Sequence, residues 1–339
     1  MRFLVYLPLL LPAVVAVGVR PLAARVEPRL ATWLITLATV VLAVCSTAAL
    51  ALLVTAAAAR VPALDALRHY SQPAVRRSDP TSAVTGVVAA VLLTGTAGAV
   101  VVALRGRARA LAESYRRASL FGGDSRVVVV PGPHIEAYAL PGGPGRIVVS
   151  GRLLETLDDD GRTALLAHEQ AHLSGHHHLF TIAAHLAAAA NPLLLPLARA
   201  VDYTVERWAD EEAARQTGDR RLVAATIGHV ALLATTGHQR AGALALGMVR
   251  TRARHASGAR TGSLPRRMSL SWAGPVPRRV SVAWAGPVPR RVAALLTPPP
   301  RQRALLVAVC AVVVLLAGTS ALEAARDLHT LLHMAHTGR

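Results

Sequence analysis

The apolar residues of this chain fall into long blocks more than into short alternations. Four blocks approach the roughly twenty apolar residues that a helix needs to cross a bilayer: Phe3–Val19, Thr32–Ala59, Ala83–Leu104 and Ala304–Leu322. The first carries Pro8 and Pro12 and no clear cleavage pattern, so it reads as a retained span rather than a secretion signal. A fifth block, Leu179–Leu197, is long enough to cross but is interrupted by Asn191-Pro192 and Pro196, which break a helix. The pattern predicts a helix packed along the membrane or against a domain, a turn at Asn191-Pro192, and a further helix. A dip into the bilayer and back is the alternative.

Between the third and fourth blocks the pattern shortens. Val127–Val130, Ala137–Leu140 and Arg146–Ser150 read as short strands, the last two joined by the glycine-rich turn Gly142-Gly143-Pro144-Gly145. A strand edge near a cleft, here Ala137-Tyr138-Ala139-Leu140, can bind an extended peptide by adding its backbone to the sheet. A purely structural hairpin covering the helices is the plainer reading. Arg162–Ser174 contains neither proline nor glycine and follows Leu157-Asp158-Asp159-Asp160-Gly161, an aspartate cap with early negative charge, so it reads as a helix. Asp219–Thr235 reads as another, with His229 a packed or solvated position on it. Over 251–300 proline, glycine, serine and arginine accumulate. Trp272–Val280 recurs as Trp284–Val292 after twelve residues. Two copies are too few for a solenoid. The segment reads as a basic, membrane-facing linker, with partner binding as a second reading.

Composition sharpens this picture. The chain has 339 residues, 53% of them hydrophobic, and a mean hydropathy of +0.41, too apolar for an ordinary soluble enzyme. All 37 basic side chains are arginine, and the formal net charge is +18. That charge suggests nucleic acid, but few aromatics lie among the arginines, and many arginines flank the apolar blocks. The distribution is better explained by the bias of basic residues toward the inner face of a membrane. Arg20, Arg25 and Arg29 lie between the first two blocks, Arg105–Arg117 follow the third, and Arg290–Arg303 precede the fourth. This places the N-terminus outside and the region 105–303 in the cytoplasm, although Arg60, Arg68, Arg76 and Arg77 on the other side weaken the bias. The two cysteines, Cys45 and Cys310, lie in separate apolar blocks and suggest neither a disulfide nor a metal site.

The chemistry concentrates in His168-Glu169-Gln170-Ala171-His172. Residues four apart on a helix share a face, so both imidazoles can reach one zinc ion, with Glu169 beside them as a base for the attacking water. Glu206, in Glu206-Arg207-Trp208-Ala209-Asp210, supplies a third ligand from a later helix and leaves the fourth position open, as catalytic zinc sites do. Asp210, one turn on, can accept a hydrogen bond from a ligand histidine. If His172 and Glu206 hold one ion, both lie on one side of the membrane, so the fifth block between them makes no single crossing. His176 continues the face of His168 and His172 and is a rival third ligand; the plainer reading of His176, His177 and His178 is a polar helix end. Tyr203, one turn before Glu206, is a candidate to stabilise an oxyanion.

These residues, with Ala137–Ser150 and the Asn191-Pro192 break, resemble the integral-membrane zinc peptidases of the BlaR/MecR type, and more distantly the HtpX-type membrane proteases and the CAAX prenyl proteases. The likeness covers about residues 100–215 and the pattern of three spans before the domain and one after. It implies His168, His172 and Glu206 as ligands of one Zn2+ per chain, Glu169 as general base and Asp210 as support for the ligands. The BlaR/MecR sensors carry a penicillin-binding domain after the last span, whereas only about seventeen residues follow Leu322 here, so the resemblance is to sensor-less members, often linked to a repressor that they or a relative cleave. The fold expected is mainly α: a multi-pass membrane protein of about four transmembrane helices, with a gluzincin-like helical zinc-peptidase domain and a small sheet edge. The organisation expected is three transmembrane helices in 1–104, the peptidase domain in 105–250, the linker in 251–303, a transmembrane helix in 304–322 and a tail in 323–339. The expected activity is hydrolysis of peptide bonds, in regulatory proteolysis of a cytoplasmic or membrane protein, at the cell membrane. The partners expected are a protein or peptide substrate, possible repressors among them, and the lipid bilayer, without nucleic acid. A membrane scaffold that keeps the fold without turnover is the rival reading.

Overall fold

Proline marks where the first helices start and where they need help from outside. In the computed structural model, which describes residues 6–58, 83–121, 125–132, 135–143, 145–234, 288–298 and scattered positions from 308 to 326, α1 runs over Leu7–Arg25 and α2 over Pro28–Ala58. The chain turns between them at Val26-Glu27, and Pro28 opens α2, where its missing N–H is harmless. Pro12 lies inside α1, so the carbonyl of Pro8 has no N–H four residues on to accept from. The Ser46 hydroxyl of α2 fills that gap at 2.8 Å from the Pro8 oxygen, and is shared with the Leu42 oxygen at 2.7 Å. The Asn191 amide in turn donates to Ser46 Oγ at 3.1 Å. One small hydroxyl thus joins two helices and a distant turn.

Contacts divide the chain into two units, 1–111 with 176–208 and 299–339, and 112–175 with 209–298. The first unit is built from α1, α2, the N-terminal part of α3 (Ala83–Leu120), α6 (His177–Ala190), a 3-10 turn at Pro192–Leu194 and the start of α7 (Leu195–Thr217). α6 packs on α2. Their core joins Ala31, Ile35 and Leu42 to Phe180, Ala184, Leu194 and Leu197. The break at Asn191-Pro192 stands where the prolines predict it: Asn191 caps α6, and its side chain accepts from the Leu193 N–H at 3.0 Å. α1, α2 and α3 are each long and apolar enough to cross a membrane. Only 6% of the apolar window of α3 is buried, so Val87, Val91, Val102 and their neighbours face outward along its length. Where α3 meets α2 the approach is close: a Cβ on Gly86 would stand 2.1 Å from that of Ala57. Most of Ala304–Leu322 falls outside the described residues, and the described positions between 308 and 323 are helical.

The second unit holds a three-stranded sheet and the helices beside it. β1 (Val127–Val130) pairs in parallel with β3 (Arg146–Ser150), and β2 (Ala137–Leu140) pairs antiparallel with β3, giving the order β1-β3-β2. The β2–β3 hairpin is the expected one; the parallel partner on the other side is an addition that strand patterning does not foretell. β3 is central and buried along its whole length. Its Arg146, also buried, donates to the backbone oxygens of Phe121, at 2.9 Å, and Ser125. The end of β3 starts the next helix, since Ser150 caps α4 (Gly151–Thr156).

Asp158 then caps α5 (Asp159–Ser174), accepting from the Gly161 N–H at 2.9 Å. Leu165 of α5 shares one buried core with Ile147, Val149 and Leu153 and with Ala213, Val223 and Ile227. Those last residues belong to α7 and to a helix over 220–234, α8, which carries His229 on an exposed face. Within the segment 251–303 expected to be a linker, the described residues Val288–Leu296 form a helix, α9, with Arg291 and Leu295 buried. The first copy of the repeat, Trp272–Val280, lies outside the described residues.

Candidate metal centre

α5 ends at Ser174, two residues before His176, which would add a third histidine to the row of His168 and His172. Gly175 closes the helix and His176 follows with φ 49°, a left-handed conformation that costs a residue with a Cβ about 1 kcal/mol or more. The expectation that His176 continues the face of His168 and His172 is therefore corrected: it caps α6, and its ring lies 6.3 Å from that of His178. Burial, with His176 next to it, pushes the His178 imidazole below its ordinary range. His177 is buried against the Trp208 ring, with centroids 4.5 Å apart.

His168 and His172 lie inside α5 and turn their rings to each other, with Nε2 atoms 3.1 Å apart. Two nitrogens bound to one tetrahedral zinc at about 2.0–2.1 Å would be separated by about 3.3 Å. The third donor comes from α7, an unbroken helix in which Glu206 precedes Asp210 by one turn and shares its face. The ligand atoms of His168, His172 and Glu206 all lie within 4.8 Å of one another. Two imidazoles and one carboxylate in this spacing fit a single zinc ion. Glu169 is buried at 3% exposure, so a carboxylate is held out of bulk water in the turn that bears both histidines.

Behind the histidines the polar groups are arranged in series. His168 Nδ1 lies 3.0 Å from Asp210 Oδ1, which leaves Nε2 as the nitrogen facing His172. Asp210 is fully enclosed, and burial alone would raise its pKa. The charge of Arg291, its hydrogen bonds and those of His168 outweigh that effect and hold the carboxyl well below the usual range. Arg291 of α9 donates Nε to Asp210 Oδ2 at 2.8 Å and a terminal nitrogen to Oδ1 at 2.5 Å. Arg291 is absent from any reading of the sequence as a site residue. Its only signal there is negative, a proline- and arginine-rich segment resembling a linker, and nothing local reveals a partner 81 positions away.

Tyr203 is half-buried on α7, with the Arg207 guanidinium 5.9 Å from its ring centre. Ala137, Tyr138, Ala139 and Leu140 form β2, at the end of the strand order and packed beside α5.

Comparison with known proteins identifies one stretch. Residues 104–187 match the family model of Peptidase family M48, whose members are zinc metalloproteases. The match covers the end of α3, the sheet, α4, α5 and most of α6, and so includes His168, Glu169 and His172 but stops before Glu206. It supports a metallopeptidase, while leaving open the BlaR/MecR or HtpX subtype that the motifs resemble. No curated protein and no solved structure matches the chain.

Proposed function

We propose that this chain is a membrane-embedded zinc metalloendopeptidase, with His168, His172 and Glu206 as the metal ligands and Glu169 as the general base. The observation that carries the reading is the convergence of those three side chains, with ligand atoms within 4.8 Å, next to a buried glutamate. When bound, zinc supplies Lewis-acid polarisation of the scissile carbonyl and a lowered pKa for its water. Glu169 takes the proton of the attacking water at its carboxylate and returns it to the departing amine as the peptide bond breaks. Asp210 fixes the ring of His168 through Nδ1, so the lone pair on Nε2 points to the metal position. Tyr203 stands one turn before Glu206 as a hydroxyl donor for the developing oxyanion. β2, as an edge strand beside α5, binds the substrate in extended form by main-chain hydrogen bonds.

Three helices long and apolar enough to cross a membrane, α1, α2 and α3, support a membrane-embedded protein. The arginine distribution orients the metal centre toward the cytoplasm, and the substrates are then cytoplasmic or membrane proteins, repressors among them, cut in regulatory proteolysis. The test is made on the full chain purified in detergent, with an unfolded protein as probe substrate. The expected result is one zinc per chain, loss of zinc in His168→Ala, and loss of cleavage but retention of zinc in Glu169→Ala. Zinc retained in His168→Ala removes the metal assignment. A partner-dependent function that survives both Glu169→Ala and zinc removal replaces the enzyme with a scaffold.

A further inference from the structure

The metal centre is closed from behind by a helix that belongs to a distant part of the sequence. α9 reaches it from beyond residue 287, and its docking is specific at both ends. Near its N-terminal end Arg291, 1% exposed, grips both oxygens of Asp210, itself 1% exposed. At its C-terminal end Arg220 of α8 donates Nε to the Leu295 oxygen and a terminal nitrogen to the Ala294 and Thr297 oxygens, each at 3.0 Å. These carbonyls are the ones a helix end leaves without internal partners, and the negative end of the helix dipole favours the cation. Glu211 of α7 pairs with the same Arg220. Leu295 completes the docking by entering the core formed by Leu165, Val223 and Ile227.

We infer that Arg291 is a positioning residue for the metal site and that α9 acts as a clasp on it. This inference rests on the zinc reading above. A carboxylate that accepts from a ligand histidine must be held in one orientation, and Asp210 on its own can rotate about its side-chain bonds. The planar guanidinium takes both carboxylate oxygens at once, which a single ammonium point charge does not do. Oδ1 is thereby kept 3.0 Å from His168 Nδ1, and Nε2 of His168 is kept 3.1 Å from Nε2 of His172. Partners of this outer kind usually change metal affinity by about 10- to 100-fold when lost. Arg279 holds the place in Trp272–Val280 that Arg291 holds in the identical Trp284–Val292, so the repeat supplies its own control for the substitution.

The experiment measures zinc affinity of the full chain in detergent by competition with a chromophoric chelator, and the visible spectrum after cobalt substitution. Arg291→Met is expected to weaken zinc about 10- to 100-fold and to shift the cobalt bands. Arg291→Lys keeps the charge and is expected to recover only part of the loss. In an Asp210→Asn background Arg291→Met is expected to add little further loss, since its effect passes through that carboxylate. Arg279→Met is expected to leave zinc affinity within twofold of the parent. Unchanged affinity and spectrum in Arg291→Met, with His168→Ala still abolishing zinc, overturn the clasp and leave the metal site standing. An equal loss in Arg279→Met overturns the assignment to the second copy. Failure of the parent chain to bind zinc overturns the metal reading itself. Arg291→Lys, the smaller perturbation, decides the matter if Arg291→Met does not fold.

Discussion

Arg207 donates to the backbone oxygen of Ala23 at 2.7 Å, so the residue directly after Glu206 is tied to the C-terminal end of the first apolar helix. The same guanidinium lies 3.4 Å from the Ala24 oxygen. A buried arginine is tolerable here because the last carbonyls of α1 lack helical partners and carry the negative end of its dipole. Arg207→Met keeps most of the apolar stem but removes the donors. It is expected to destabilise the chain by about 1.5–3 kcal/mol, read as a lower apparent unfolding temperature in detergent. An unchanged transition would mean that the anchoring of α7 to α1 contributes nothing.

Glu169→Gln preserves shape and most hydrogen-bonding capacity while removing the carboxylate proposed as the base. The loss of kcat/KM is expected to be about 10²- to 10⁴-fold, with zinc content equal to that of the parent. Metal analysis and single-turnover cleavage of a labelled unfolded protein check both halves. Full activity in this variant would remove Glu169 from the chemistry.

His176→Gly separates the two readings of the histidine cluster. Its left-handed backbone at φ 49° is a conformation that glycine adopts without penalty. The variant is expected to be as stable as the parent or more so, by up to about 1 kcal/mol, and to bind zinc with unchanged affinity. A drop in zinc affinity would restore His176 as a ligand.

Ser46→Ala tests how the proline inside α1 is accommodated. The substitution leaves the Pro8 carbonyl without the hydroxyl that reaches it at 2.8 Å, and the Asn191 amide without its acceptor at 3.1 Å. The expected loss is about 1–3 kcal/mol, measured by the thermal transition of the purified chain. Pro12→Ala in the same background should recover part of it, because the new N–H satisfies the Pro8 oxygen within the helix. No recovery would argue that the gap at Pro12 is not what Ser46 fills.

The sequence by itself determined the parts that depend on neighbours along the chain. Apolar runs long enough to span a bilayer, a capped helix bearing His168 and His172 one turn apart, the Asn191-Pro192 break and the β2–β3 hairpin all follow from spacing and local chemistry. The approach of Glu206 to the histidine pair was legible only as a motif, since two helices separated by an apolar block have no local rule for meeting. Tertiary structure alone decided that β1 runs parallel to β3, that the chain kinks at His176 instead of extending α5, and that Ser46 serves Pro8. It also decided the role of Arg291. A charged residue in a proline-rich stretch reads as solvated until the fold brings a buried carboxylate to within hydrogen-bond reach, and burying either charge without the other is too costly for the pair to be guessed one residue at a time.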